Sequence, residues 1–288
     1  MTCKPRRKLR GFCVRVMKSR TILIIVSLLI VLLVWELAAR FGGLPAFILP
    51  RPSQVWTRFT QTMVDGTLLR NTAVTLLEIL VGLSLGVSVA TILGYLLARS
   101  LRLEHLLSPY IVASQSIPVV AIAPLLVIWF GPGLFSKVLI CALVVFFPVL
   151  VNTVVGVRSV PEDLRDLMRS LQASRWQTLR YLELPAALPV FLGGLRIGAT
   201  LSVIGAVVGE FVGANSGLGY MVNYARGLFD TALVFVAVFT LIALALLLYG
   251  SVSLVEKRLL SWQQHPENEA LLLNDIHTNT DKVEDMTL

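Results

Sequence analysis

Residues able to do covalent or proton chemistry are sparse in this chain and badly placed for catalysis. His105, His265 and His277 lie outside the long apolar stretches, and Cys3, Cys13 and Cys141 have neither metal-like spacing nor an obvious pairing. No Gly-x4-Gly-Lys-Ser/Thr run occurs among the 288 residues, so ATP would have to be bound by another chain. Glu78 and Glu210 are carboxylates inside apolar stretches. A proton- or ion-driven transporter builds its relay from such groups. Two of them, both toward one end, make a thin relay, and that class stands as the alternative to the reading below. No catalytic cluster is visible, so the expected function is not enzymatic.

The densest polar chemistry lies between Ser159 and Pro189. Two short helices are expected there. Ser159 with Glu162 reads as a capping box, with Pro161 in the first turn, and Ser174 with Gln177 as a second. Val160, Leu164, Leu167, Met168 and Leu171 recur at helical spacing and give the first helix an apolar face. Trp176, Leu179 and Leu182 give the second its own stripe, and Pro185 and Pro189 are expected to stop it. The spacing predicts an amphipathic, arginine-bearing helix–turn–helix at a membrane surface.

The rest of the chain must position that hairpin. It is 56% hydrophobic and 15% charged, against about 25% charged in soluble domains. This composition predicts an all-α, multi-pass membrane protein. The net charge of +8 does not suggest nucleic acid, because eight of the Lys and Arg residues fall in the first twenty positions, as on a cytoplasmic flank. Six spans are expected, near Thr21–Ala39, Thr72–Ala98, Leu107–Phe130, Phe135–Val155, Val190–Val212 and Ala232–Val255. The first also fits a signal peptide, but its core is long and Glu36 precedes the cut that Ala38-Ala39 would allow. Ser53 is expected to cap a short amphipathic surface helix running to Met63. Residues 1–20 form a basic tail, 21–262 the membrane domain with the hairpin at 159–189, and 263–288 a polar, acidic and disordered tail. Glu256, Lys257, Arg258 and Trp262 anchor the last span. The bias of Lys and Arg puts both termini and the hairpin in the cytoplasm.

Within the spans, Gly82, Gly86, Ala90, Gly94 and Ala98 form a small-residue ridge, which lets a neighbouring helix approach closely. Gly194, Gly198, Ser202 and Ala206 form one such stripe in the fifth span, and Gly205, Gly209 and Gly213 another; two small faces suit a helix wedged between neighbours. Pro118 and Pro124 are expected to interrupt the third span. Broken helices line protein or a water-filled path, which makes Ser114, Gln115, Ser116 and Pro118 candidate pathway residues, together with Ser202 and Glu210. Glu78 either snorkels or faces that path. Arg196 is expected to be the lone basic residue inside a span.

The segment 159–189 resembles the coupling loop of ABC-importer permeases. That pattern is Glu-Ala-Ala, three residues, Gly, nine residues, an aliphatic, one residue, Leu-Pro. Asp166, Leu167 and Met168 stand at the first three positions, Gln172 at the glycine, and Leu182, Leu184 and Pro185 at the end. Only the carboxylate of the opening triplet is kept. The glycine position should want positive φ, which costs a non-glycine residue roughly 1–2 kcal/mol. Ser116 to Leu125, Trp129 to Gly133, and Glu210 to Ala214 with Gly217 to Tyr220 are similar to the nitrate, sulfonate and taurine branch, which also includes importers of riboflavin and thiamine's pyrimidine precursors. The resemblance implies a type I importer fold in a bacterial inner membrane. It implies two ATPase subunits as partners, a second permease subunit (a homodimer) and an extracytoplasmic binding protein, with the ATPase contacted through Asp166, Leu171, Gln172, Ala173, Ser174, Trp176 and Leu179. A span path without free positive charge leans toward a vitamin-type heterocycle over nitrate, taurine or an alkanesulfonate.

Overall fold

The fold is described from a computed structural model covering residues 23, 26–27, 29–43 and 45–261. The basic tail, Trp262 and the acidic tail lie outside the described residues. So does the start of the first expected span, whose described remainder is helix α1, residues 29–41. The further elements are α2 (Pro52–Val64), α3 (Thr67–Arg99), α4 (Leu101–Gln115), α5 (Val119–Phe130), α6 (Leu134–Arg158), α7 (Glu162–Ser170), α8 (Arg175–Thr178), a π-turn (Leu179–Glu183), α9 (Leu184–Gly213), α10 (Leu218–Gly227) and α11 (Thr231–Leu259). Every regular element among the described residues is helical. About 20 apolar residues cross a bilayer core. Four continuous helical stretches pass that length and apolarity: Thr67–Arg99, Leu134–Arg158, Arg175–Gly213 and Thr231–Leu259. The pair α4 and α5, bent by 94° at Ser116–Pro118, makes a fifth if taken as one broken span.

The chain divides into two compact units. The first joins residues up to Leu69 with Met221–Phe239. Its packing is aromatic: Trp35 stacks on Phe235 at 5.1 Å between centroids and donates its indole N–H to the Pro50 carbonyl. Arg58 of α2 reaches Asp230 at 2.8 Å. Ser53 does not cap α2; the helix starts one residue earlier, where Gln54 Oε1 accepts from the Arg51 N–H. Pro52 occupies the first position, where a missing N–H costs nothing.

The second unit joins Arg70–Tyr220 with the chain from Thr240 onward. Its core is α6, clasped by α3 on one side and α9 on another. The small ridge of α3 lies directly on α6. A Cβ at Gly82 would fall 2.3 Å from Cys141 Cβ, one at Gly86 2.7 Å from the Ala142 carbonyl, and one at Gly94 2.8 Å from Thr153 Cβ. Ala90, fully buried, packs with Val145 and Val149. Both helices therefore present every fourth residue to the other and run parallel. Against α9, α6 runs antiparallel. Cβ atoms at Gly194, Gly205 and Gly209 would meet Asn152 at 2.5 Å, Cys141 at 2.9 Å and Lys137 at 3.3 Å. Both small stripes of α9 thus serve mainly one neighbour, with Gly213 alone turned to Val127 and Pro132. Interfaces of this kind gain from van der Waals contact that a larger residue would prevent.

Two expected breaks are absent. Pro124 sits inside α5 without interrupting it. Pro185 and Pro189 do not stop a helix: the path continues from Arg175 to Gly213. The π-turn immediately before Pro185 is the physical reason. Its wider i→i+5 ring loosens the turn into which a proline ring would otherwise clash.

Gly86→Leu is expected to cost about 3 kcal/mol or more, because the Ala142 backbone cannot yield as a side chain would. Gly193→Leu, where a Cβ meets nothing within 4 Å, is the control. Thermal unfolding in detergent should show a large fall for the first and little change for the second; equal behaviour would mean the ridge is not a tight contact.

Candidate functional site: the hairpin and a buried polar knot

Helix α7 ends in a Schellman motif. Gln172 takes φ 50, its N–H bonds the Arg169 carbonyl at 2.9 Å, and the Ala173 N–H bonds the Met168 carbonyl at 3.0 Å. These are the two bonds that close such a cap, normally around glycine. Gln172 therefore holds the left-handed conformation that its motif position demands. Ser174 and Gln177 form the reciprocal capping box, with the Gln177 side chain accepting from the Ser174 N–H at 2.7 Å. The other expected box is absent. Ser159 closes α6 instead, its N–H on the Val155 carbonyl and its hydroxyl on Gly156, while Pro161 stands at the N-cap of α7.

The apolar face of the hairpin is uncovered. Val160 is buried where α7 leaves α6, but Leu167, Leu171, Trp176 and Tyr181 are 53%, 67%, 66% and 69% exposed. Ala173 is half-buried beneath them and Ser174 exposed. Asp166 pairs with Arg169 at 2.8 Å on the open surface. Leu179 departs from expectation. It is half-buried and turns inward to a cavity of about 400 Å³, shared with Ile92, Leu96, Leu184 and Leu188. It belongs to the π-turn, whose rotation carries it off the outward stripe of Trp176.

Polar ties fasten the hairpin to the bundle. Arg165 donates to the Val157 carbonyl at 2.8 Å. Arg158 grips Glu104 of α4 through both carboxylate oxygens, at 2.8 and 2.5 Å. Glu183, 4% exposed, accepts from Arg99 at 2.9 Å and from the Tyr95 hydroxyl at 3.2 Å. Arg196 pairs with Glu256 and lies over the Tyr249 ring, joining α9 to α11.

A second polar group lies at the opposite end of the same helices. Lys137 of α6 pairs with Glu78 of α3 at 2.8 Å, with side chains 7% and 1% exposed. Arg196 is therefore not the lone basic residue in a span, and Glu78 neither snorkels nor faces a path. Glu210 is also buried, at 1%. It accepts from the Thr75 hydroxyl at 2.6 Å, from the Tyr220 N–H at 3.3 Å and from the Gly219 N–H. Asn71 accepts from the Gly217 N–H and Thr75 from the Leu218 N–H, each at 2.8 Å. Gly217, at φ +116, comes so close that a Cβ there would stand 2.2 Å from the Glu210 carboxylate. Glu210 thus ties helices and turn together, while Ser202 is buried with its hydroxyl on the Ala199 carbonyl of its own helix; neither lines a path in this conformation.

The broken span keeps its expected place. Ser114, Gln115, Ser116 and Pro118 are all exposed at the bend. Gln115 lines a cavity of about 200 Å³ with Glu104, Ser108 and Val112. Ser114 and Ser116 turn their hydroxyls back on the Tyr110 and Val112 carbonyls.

Comparison with known proteins decides the family. The model for "binding-protein-dependent transport system inner membrane component" matches residues 82–261, more than half the chain.

The chain belongs to that family.

Among its relatives, the riboflavin transport system permease protein RibX of Chloroflexus aurantiacus is 50% identical over 238 residues, covering 83% of this chain and 89% of that one. The formylaminopyrimidine transport permease protein ThiX of Halalkalibacterium halodurans is 38% identical, covering 82% and 94%. The putative aliphatic sulfonates transport permease protein SsuC of Bacillus subtilis is 32% identical, covering 83% and 86%. In fold, the chain is similar to an inward-facing structure of the MetNI methionine ABC transporter, with TM-score 0.61 and 20% identity over 68% of this chain and 97% of that one. As a member of this permease family the chain is an integral membrane protein with a transport role.

Three of the knot's residues escaped sequence reading. Asn71 and Thr75 look like ordinary polar residues at a span's start, and Lys137, although inside the expected fourth span, is passed over when Arg196 is read as the lone basic residue. The available signal was Glu78 standing four residues before Gly82, on the ridge of α3. Lys137→Met should cost about 3–5 kcal/mol, because it leaves Glu78 buried without a counter-charge. Lys137→Met with Glu78→Gln should recover part of that loss. Unfolding temperatures of the two variants provide the check; an equal fall in both would show that the pair is not mutually compensating.

Proposed function

We propose that this chain is the permease subunit of a bacterial ABC importer, that hairpin 159–183 docks on an ATPase subunit, and that the cargo is a vitamin-type heterocycle of the riboflavin class. The observation that carries the docking reading is the uncovered apolar face of Leu167, Leu171, Trp176 and Tyr181. Large apolar side chains exposed together beyond the end of a span call for a partner cleft. Covering each stabilises by about 1.5–3 kcal/mol. On this reading the ATPase is a separate protein. Two ATPase subunits, a second copy of this chain and an extracytoplasmic binding protein complete the assembly. Six spans with both termini and the hairpin in the cytoplasm follow from the charge bias. On this reading the knot of Glu78, Lys137 and Glu210 lies toward the outer face of the inner membrane.

The cargo reading is supported by the 50% identity to a riboflavin permease. It is also supported by charge. Lys137 and Arg196, which lie inside described spans, are each ion-paired and offer no net positive charge to an anion. A nitrate or sulfonate stripped of water would need such charge.

Two measurements test these statements. Leu171→Arg or Trp176→Arg should leave the chain in the membrane, release the ATPase subunit on purification, and cut uptake about tenfold or more, as loss of a central anchor does. Retained ATPase and normal uptake in both would refute docking through this face. Proteoliposomes holding the permease, its ATPase and its binding protein should take up riboflavin with ATP and should not take up taurine. The reverse preference would overturn the cargo while leaving the permease role standing. Separately, a cysteine at Arg175 should resist a membrane-impermeant thiol reagent in intact cells; labelling from outside would invert the topology.

A further inference from the structure

The two arms of the hairpin enter the bundle differently. The first arm is continuous with α6 through buried Val160 and the Arg165 bond to Val157, and α6 holds α4 through Arg158 and Glu104. The second arm, α8, runs through the π-turn into α9. Beside that turn lies the cavity of about 400 Å³ bounded by α3, α6 and α9. The directional contacts from the π-turn to α3 are polar: the Arg99 guanidinium and the Tyr95 hydroxyl on the Glu183 carboxylate, with the guanidinium also 5.1 Å from the Tyr95 ring centroid. Glu183 is the last residue of the π-turn, and such turns recur at functional sites in helices.

We propose that the Arg99–Glu183 pair is the tie through which movement of the hairpin's second arm reaches α3, beside the bond that Arg158, at the root of the first arm, donates to the Leu97 carbonyl of α3. Arg99 and Glu183 are positioning residues for transport, acting through the helices they join. The tie rests on the reading of the hairpin as the ATPase-docking element. Helix α3 has 33 residues, about 50 Å at 1.5 Å per residue. It bears Arg99 at one end, the ridge along its length, and Glu78 and Thr75 of the buried knot toward the other. A pull on Arg99 is therefore delivered to the Glu210 turn at Gly217–Tyr220. Without the tie, the second arm would move and α3 would follow it less.

The test is the number of solute molecules taken up per ATP hydrolysed by the full complex in proteoliposomes, with riboflavin, formylaminopyrimidine and taurine each tried as cargo. Arg99→Met and Glu183→Gln should each lower that ratio about tenfold, with the ATPase subunit still bound and still hydrolysing, since each removes one side of a charge pair whose carboxylate is buried. The double variant should be no worse than the worse single, the non-additivity of residues acting as a unit. Arg99→Lys, which can still pair, should recover part of the ratio. If Arg99→Met fails to assemble, Tyr95→Phe and Arg99→Lys decide: a reduced ratio in either supports the tie, and wild-type ratios in both overturn it. Normal coupling in Arg99→Met and Glu183→Gln, with Leu171→Arg still releasing the ATPase, overturns the tie alone. A Leu171→Arg variant that stays bound and coupled, or a wild-type complex that moves none of the three solutes, counts against the proposed function instead.

Discussion

The second unit depends on one constraint: α3 and α9 must both touch the backbone of α6. Between helices in an apolar solvent there is little hydrophobic gain, so close approach must supply the binding through van der Waals contact and internal polar ties. Gly82, Gly86 and Gly94 on one side, and Gly194, Gly205 and Gly209 on the other, remove the atoms that would hold the axes apart. Once the axes are that close, the polar residues at the ends of the seam are forced into contact. Glu78 meets Lys137 because Gly82 meets Cys141. Glu210 meets the Gly217 turn because Gly209 lets α9 settle on α6.

The two ends of this seam use charge differently. At the hairpin end, Arg158, Arg165 and Arg196 are only partly covered, and such pairs are individually weak. They serve as clasps that can open. At the knot, Lys137, Glu78 and Glu210 are withdrawn from water almost completely. There a broken pair costs far more than an intact one gains, so the arrangement is effectively all-or-none. Glu183 lies between these cases: its own carboxylate is buried, while a third of its partner Arg99 reaches solvent.

Much of this was legible in sequence because membrane segments obey few rules. Apolar length located the long helices, and small residues at every fourth position located the face that meets α6. The break at Pro118 followed from backbone chemistry, and the turn at Gln172 from the glycine that the resembling motif has at that position. Misreadings arose where local rules compete with chain continuity. Ser159 and Glu162 have capping spacing, yet α6 claims Ser159 for its own end. Pro185 and Pro189 ordinarily stop a helix, yet the helical path runs through both; the π-turn that precedes Pro185 has no simple sequence signal. Lys137 is passed over inside the expected fourth span because its partner is 59 positions away, and no local pattern announces a pair of that separation.

That same separation recurs along the whole seam between α3 and α6. Glu78 faces Lys137, Gly82 faces Cys141, Gly86 faces Val145 and Gly94 faces Thr153, always 59 positions on. The seam is thus a ruler with fixed graduations. One residue inserted into α3 between Glu78 and Gly94 would rotate everything beyond it by about 100°, bringing Leu85 or Leu93 into the places of Gly86 and Gly94, opposite a backbone that admits only hydrogen. An insertion in the short turns between α3 and α6, at Ser100, 116–118 or 131–133, changes only the count, because both graduated edges survive it. Length variation among natural relatives should therefore gather at those turns and avoid the helices.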